Sequence, residues 1–149
     1  MACWLVKSEA ETYSIEDLRR DRITRWDCVR NYQARNNLCT FAIGEKVLFY
    51  RSVKNPGVVG EAEVVKLAYP DPLQFDNKSD YFDSTAKRER PRWFSPDLIF
   101  VRAFSEISLE RLKSIPSLKN MALFKSSRLS VQPVSDKEYK TIIGLVRVE

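Results

Sequence analysis

Two tryptophans and a scatter of short polar side chains are the residues of this sequence best suited to chemistry. Trp26 stands in a segment, 25–31, with neither helical nor strand periodicity, just ahead of an amide-rich stretch, and Trp93 closes a basic run. A nucleobase is a flat polarizable face with a polar edge, so a pocket for one needs aromatic walls and a few fixed donors and acceptors. Trp26 and Trp93 could be the walls, and Ser8, Asn31 and Ser52 could read the edge. At 128–132 the alternation turns Leu129 and Val131 inward and leaves Arg128, Ser130 and Gln132 together on the opposite face. Positive charge surrounds these segments: six arginines against two aspartates from 19 to 35, and four cations against one glutamate from 87 to 92. Arg30, Arg35, Lys87, Arg88 and Arg90 are therefore candidates for contacting phosphates, which such patches bind by releasing counterions. The plain alternative is that each tryptophan belongs to the core and each charge run is a solvated face.

Other chemistries lose their participants. The chain has no histidine, and a serine or cysteine nucleophile usually depends on a neighbouring imidazole, as do most zinc and non-haem iron sites. Lys7 and Ser8 are adjacent on a strand and point to opposite faces, so they cannot act as a Ser-Lys pair. Asp71, Asp76, Asp80 and Asp83 lack the alternating ligands and turn glycine of a calcium loop and read as a solvated acidic loop. No metal and no cofactor is expected. Cys3, Cys28 and Cys39 are odd in number and widely spaced, which fits free thiols in a reducing compartment, the cytoplasm or, in a eukaryote, the nucleus.

The elements that must position these residues come from a chain of 149 residues, 44% hydrophobic and 30% charged, with a net charge of +5. That length buries roughly 70% of the unfolded surface in a single domain, 1–149. No apolar run approaches the ~20 residues of a membrane span, so no membrane partner is expected. A strand is expected over 3–8, then a helix entered through Ser14 with Asp17 three residues on and ending near 22. Asn31 can cap a second helix whose inner stripe is Ala34, Leu38 and Phe41. Strands over 46–51 and 58–67 form a hairpin through Asn55, Pro56 and Gly57. In the second of them Gly60, Ala62 and Val64 suit the inside of a tightly curved sheet. The stretch 74–92 is too long for a simple connection and reads as an ordered excursion or a mobile loop. A strand over 98–104, a short helix from Ser108 to 112, another near 118–123 and a last helix opened by Ser135 and Glu138 complete the chain. The order argues an α+β domain, most strands antiparallel, with a curved, barrel-like sheet flanked by helices.

The strings WLVKSE at 4–9, WDCVRNYQARN at 26–36, YPD at 69–71, PRW at 91–93 and RLSVQPV at 128–134 resemble, in order and in spacing, the successive signatures of the EVE domain family. The resemblance implies a PUA-like fold shared with YTH domains, a small curved antiparallel β-barrel flanked by helices. It also implies a non-enzymatic module that recognises a modified base in RNA or DNA, by relation to YTH recognition of N6-methyladenine and to EVE association with modified cytosine. Lys7 and Ser8 then fall where YTH relatives have residues facing the base, Trp26 matches a cage tryptophan, and Trp93 takes a second-wall position. Asn31 and Arg128 match rim elements. Tyr50 and Ser52 match a Tyr-His-Ser strand end in which this chain has Arg51 for the histidine, a permanent cation in place of a titratable group. Ala10 replaces a proline, Cys28 a glycine and Asn37 a phenylalanine.

The implied partner is nucleic acid carrying a modified base that is flipped out or single-stranded, because unstacking costs a few kcal/mol in a duplex. Two other classes remain open on the residues: a base- or nucleotide-modifying enzyme using Ser8, Asp27 or Cys28, and a regulatory module holding a small metabolite. The residues leave the oligomeric state open.

Overall fold

The first strand, β1 (Cys3–Glu9), begins with four buried residues in a row because both of its faces are covered. Cys3 and Leu5 point into one apolar cluster, Trp4 and Val6 into another. In the computed structural model, which describes residues 1–146, β1 lies inside a six-stranded sheet. Its neighbours there are β3 (Lys46–Ser52), which runs parallel to it, and β6 (Val131–Val134), which runs antiparallel with Cys3 opposite Val134.

The hairpin is present and longer than its sequence pattern: β4 (Gly57–Pro70) pairs with β3, and with β5 (Phe94–Ser108) on its other side. Register shifts recur along β4 and β5 and bend these long strands. A three-residue strand, β2 (Ile23–Arg25), adds to the outside of β5. The strand order is β2-β5-β4-β3-β1-β6, so the sheet is curved but open, with β2 and β6 as its edges. The α+β class stands; closure into a barrel does not.

Helices α1 (Ile15–Asp21) and α2 (Tyr32–Cys39) bury Leu18, Ala34 and Leu38 against one face. On the other lie α3 (Leu109–Lys113), α4 (Ala122–Lys125) and α5 (Asp136–Ile143), which contribute Leu112, Leu123 and Ile142. Ser14 with Asp17, and Ser135 with Glu138, form reciprocal capping boxes at α1 and α5, each satisfying two otherwise orphaned N–H donors. A Cβ on Gly60 would lie 2.4 Å from Ile15 Cδ1 of α1 and 2.9 Å from the Arg102 carbonyl oxygen of β5, so a side chain there would have to displace Ile15 and crowd the neighbouring strand. No helix among the described residues is long and apolar enough to cross a membrane.

Candidate functional site

The C-terminal ends of β1 and β3 bring the candidates Lys7, Ser8, Tyr50 and Ser52 into register: Lys7 opposite Tyr50, Ser8 opposite Arg51 and Glu9 opposite Ser52. Strand alternation then separates them. Ser8 follows Val6 toward the α1 side, where its hydroxyl donates to the Tyr13 carbonyl at 2.6 Å. There it lines a cleft of about 280 Å³ with Ile15, Phe49, Arg51 and Val59. Lys7 follows Leu5 to the opposite face, its ammonium 5.6 Å from the centroid of the buried Tyr50 ring. Burial lowers the Lys7 pKa and raises that of Tyr50. Arg51, which replaces the titratable residue of the resembling motif, pairs with the Glu106 carboxylate and donates to the Asn55 carbonyl at 3.0 Å, so its charge is compensated.

A second cleft, of about 330 Å³, brings Asn31 and Arg128 together with Gln33, Ser126, Ser127 and Leu129. Its wall is tied to β1: the Lys7 ammonium donates to the Ser127 carbonyl at 2.6 Å and the Lys7 N–H to the Ser130 carbonyl at 2.9 Å. Asn31 caps α2 by accepting from the Ala34 N–H at 2.9 Å. Arg128 is exposed and Ser130 half-buried. Gln132 does not share their outward face. The strand starts only at Val131, and Gln132 is buried, donating its amide to the carbonyls of Ser126 and Leu129 at 2.9 Å.

Neither Trp26 nor Trp93 lines either of these clefts. Trp26 is 8% exposed and meets Phe49 and Tyr13 edge to face, at 5.6 and 6.4 Å between centroids. It lines neither cleft, although Leu129 of the second cleft belongs to its apolar cluster. Trp93 is stacked on Tyr32 at 4.9 Å, and its indole N–H donates to the Asp83 carboxylate at 2.8 Å. The structure therefore places Ser8 in one cleft, Asn31 and Arg128 in another and Trp93 in a separate aromatic stack, and leaves Trp26, Lys7, Tyr50, Ser52 and Ser130 outside all three.

The acidic segment is not simply solvated. Asp71 is 1% exposed and accepts from the N–H groups of Cys28 and Leu73 at 2.9 Å and from Arg30 at 3.0 Å. Arg30, expected on phosphate, is also spent on the Tyr81 carbonyl. Hydrogen bonds from Thr85 and Trp93 pull the Asp83 pKa down to about 2. Gln74 is fully buried with both ends of its amide bonded, donating to the carbonyls of Asp71 and Trp93 and accepting from the N–H groups of Arg92 and Trp93. These bonds hold the excursion as an ordered structure. The signal available for Asp71 was its place before Pro72, where an aspartate caps a short 3-10 turn over Pro72–Phe75. Nothing local marks Gln74.

Cys28 has a left-handed backbone, φ 69°. Its thiol is pushed up to about 12, chiefly by burial and then by Asp27, to which it donates at 3.2 Å. Of the remaining cations, Arg35 donates to the Arg92 carbonyl at 2.9 Å. Lys87, Arg88 and Arg90 are exposed on a turn closed between Lys87 and Arg90, with Arg88 lying over the Phe75 ring.

The sequence profile of the EVE domain matches residues 2–145. The chain belongs to the EVE domain family. Among EVE relatives, thymocyte nuclear protein 1 of Gallus gallus is 41% identical over 95% of this chain and 67% of its own length. A hypothetical protein from Leishmania major has the same fold with a TM-score of 0.94 at 48% identity, covering 97% of this chain and 94% of its own. The human THYN1 protein, solved in complex with DNA containing 5-methylcytosine, superposes with a TM-score of 0.94 at 39% identity, over 100% of this chain and 99% of that one.

Proposed function

We propose that this EVE domain is a non-enzymatic binding module that recognises a modified nucleobase, methylated or related, in DNA or RNA. The observation that carries this reading is the likeness, over the whole chain, to human THYN1 in its complex with 5-methylcytosine-containing DNA. The clefts beside the end of β1 supply what such recognition needs. In one, Ser8 offers a polar group for a base edge beside the apolar Phe49 and Val59; in the other, Asn31 and Arg128 do so beside Leu129. A methyl group buried in such surroundings is worth about 1 kcal/mol, enough to bias binding toward the modified base. Lys87, Arg88 and Arg90 stand ready for the backbone of a flipped or single-stranded segment.

The chemistry of the candidate nucleophiles supports the absence of catalysis. A Cys28 thiol with a pKa of about 12 stays protonated at neutral pH. The Ser8 hydroxyl donates to a carbonyl, which takes no proton from it. Free thiols fit a reducing compartment, the cytoplasm or, as the name of the relatives has it, the nucleus.

The test is binding to matched DNA and RNA oligonucleotides, unmodified and carrying single methylated bases, at several salt concentrations. The expected result is tighter binding to one modified base, with affinity falling steeply as salt rises. Lys87→Ala combined with Arg88→Ala should weaken all oligonucleotides alike and reduce the salt slope by up to about one unit per lost phosphate contact. Binding that is indifferent to both salt and modification would move the metabolite-binding reading ahead.

A further inference from the structure

The first turn of α2 faces two ways. Asn31 and Gln33 line the cleft that holds Arg128, whereas Tyr32, between them, is 50% exposed and stacks one face of its ring on Trp93, itself 6% exposed. The ring is held by more than this stack. Its hydroxyl accepts from Arg92 at 2.9 Å, and the Arg35 guanidinium lies 4.8 Å from its centroid. The same guanidinium is 6.0 Å from the Trp93 centroid. A group on the Tyr32 face opposite Trp93 would stand much farther from Trp93 than that, so Arg35 flanks the stack and does not cap it. Half of Tyr32 is thus left to solvent on an aromatic pedestal whose base is buried.

The surroundings are mostly cationic, with the Asp83 carboxylate on the Trp93 indole N–H as an opposing charge. Arg35 and Arg92 flank the ring, and Lys87, Arg88 and Arg90 lie on the turn that leads into Arg92 and Trp93. On that turn Glu89 is the one opposing charge. A rigid aromatic face beside arginines is the combination that binds single-stranded nucleic acid without reading sequence: a base stacks on the ring and the neighbouring phosphates meet the cations. Holding Tyr32 in place before binding removes much of the ordering cost that an exposed side chain would otherwise incur.

We infer that the outer face of Tyr32 is a stacking platform for a nucleotide flanking the recognised base, with Arg35 and Arg92 beside it on the phosphates. This rests on the proposed reading of the protein as a modified-base binder and adds a second point of attachment to it. The strand leaves the Arg128 cleft across the start of α2 and continues toward the 87–90 turn. The platform contributes to affinity and not to discrimination, since every base offers the same kind of face.

The experiment compares Tyr32→Leu, Tyr32→Phe and the parent on a single-stranded DNA oligonucleotide carrying one central 5-methylcytosine and on its unmodified twin. Tyr32→Leu should bind both about tenfold more weakly, with the ratio between them unchanged, and Tyr32→Phe should stay within about twofold of the parent. A measurement on the parent protein alone keeps the test independent of folding. With 5-bromodeoxyuridine placed next to the central base, photo-crosslinking should label Tyr32. Parent-like binding by Tyr32→Leu, equal losses in the Leu and Phe variants, or a loss confined to the methylated oligonucleotide would each overturn the platform, as would crosslinks only elsewhere. Tyr32-dependent binding without preference for the methylated strand would instead overturn the modified-base reading and leave the platform standing. No binding to either strand would overturn both.

Discussion

The Arg30 guanidinium meets the Asp71 carboxylate at 3.0 Å, with Asp71 1% and Arg30 20% exposed, and the same carboxylate holds the N–H of Cys28. One buried anion thus fastens the loop after Trp26 to the end of β4. Removing it strands a cation and two N–H donors, those of Cys28 and Leu73, together.

Asp71→Ala should therefore cost about 3 kcal/mol or more in urea unfolding, because breaking one side of a buried pair leaves the other uncompensated. Adding Arg30→Ala should recover part of that loss. A single variant that unfolds at the parental urea concentration would show that the pair does not hold this loop.

Cys28→Gly should raise stability by about 1 kcal/mol, since a side chain at φ 69° has a steric cost that glycine does not. Cys28→Ala keeps the Cβ and should show no such gain. Thermal melts of the three proteins, a few degrees apart at most, decide it.

Alkylation followed across pH reads the Cys28 thiol. With its pKa pushed up to about 12, the thiolate is on the order of one part in ten thousand at pH 8, and labelling of the folded protein should rise roughly tenfold per pH unit from there. Exposed Cys39 should label first. The linkage has a definite sign: an acid whose folded pKa is raised stabilises the fold below its unfolded pKa. That contribution is lost as pH rises toward 12. Cys28 labelling that has already reached a plateau at pH 9 would refute the assignment.

Trp26→Ala should destabilise by about 3 to 5 kcal/mol, the usual cost of emptying a buried aromatic site, and Trp26→Phe by clearly less. The packing against Phe49 and Tyr13 predicts this whatever the ring does toward a ligand. An alanine variant melting within a degree or two of the parent would mean that the loop is not part of the core.

What could be read from the sequence was what is local. Ser14 with Asp17, Ser135 with Glu138, and the Asn31 cap each depend on neighbours three residues away, and all three are where the pattern put them. Non-local relations were not legible. β2 is a strand only because β5 offers it a partner some 75 residues later, and its own three residues carry no strand period. Gln132 was read outward from alternation, but the 126–129 segment folds over it and the carbonyls of Ser126 and Leu129 accept from its side-chain NH2. The residue types of the site were visible, whereas its division was not. Trp93 found Tyr32 and Asp83 instead of a cavity, and Asp71, read as solvated, became the most connected carboxylate near Trp26.

The placement of β1 between β3 and β6 constrains how the molecule is made. In chain order β1 precedes all its partners, and the strand that seals its outer edge, with Val134 opposite Cys3, follows about 130 residues later. Until then β1 keeps an unpaired edge, so the sheet is completed in one late step, slowed by the long loop that must close. The same adjacency means that a cut at the exposed tip, between Lys54 and Asn55, should leave β1 held on both sides, by β3 and by β6.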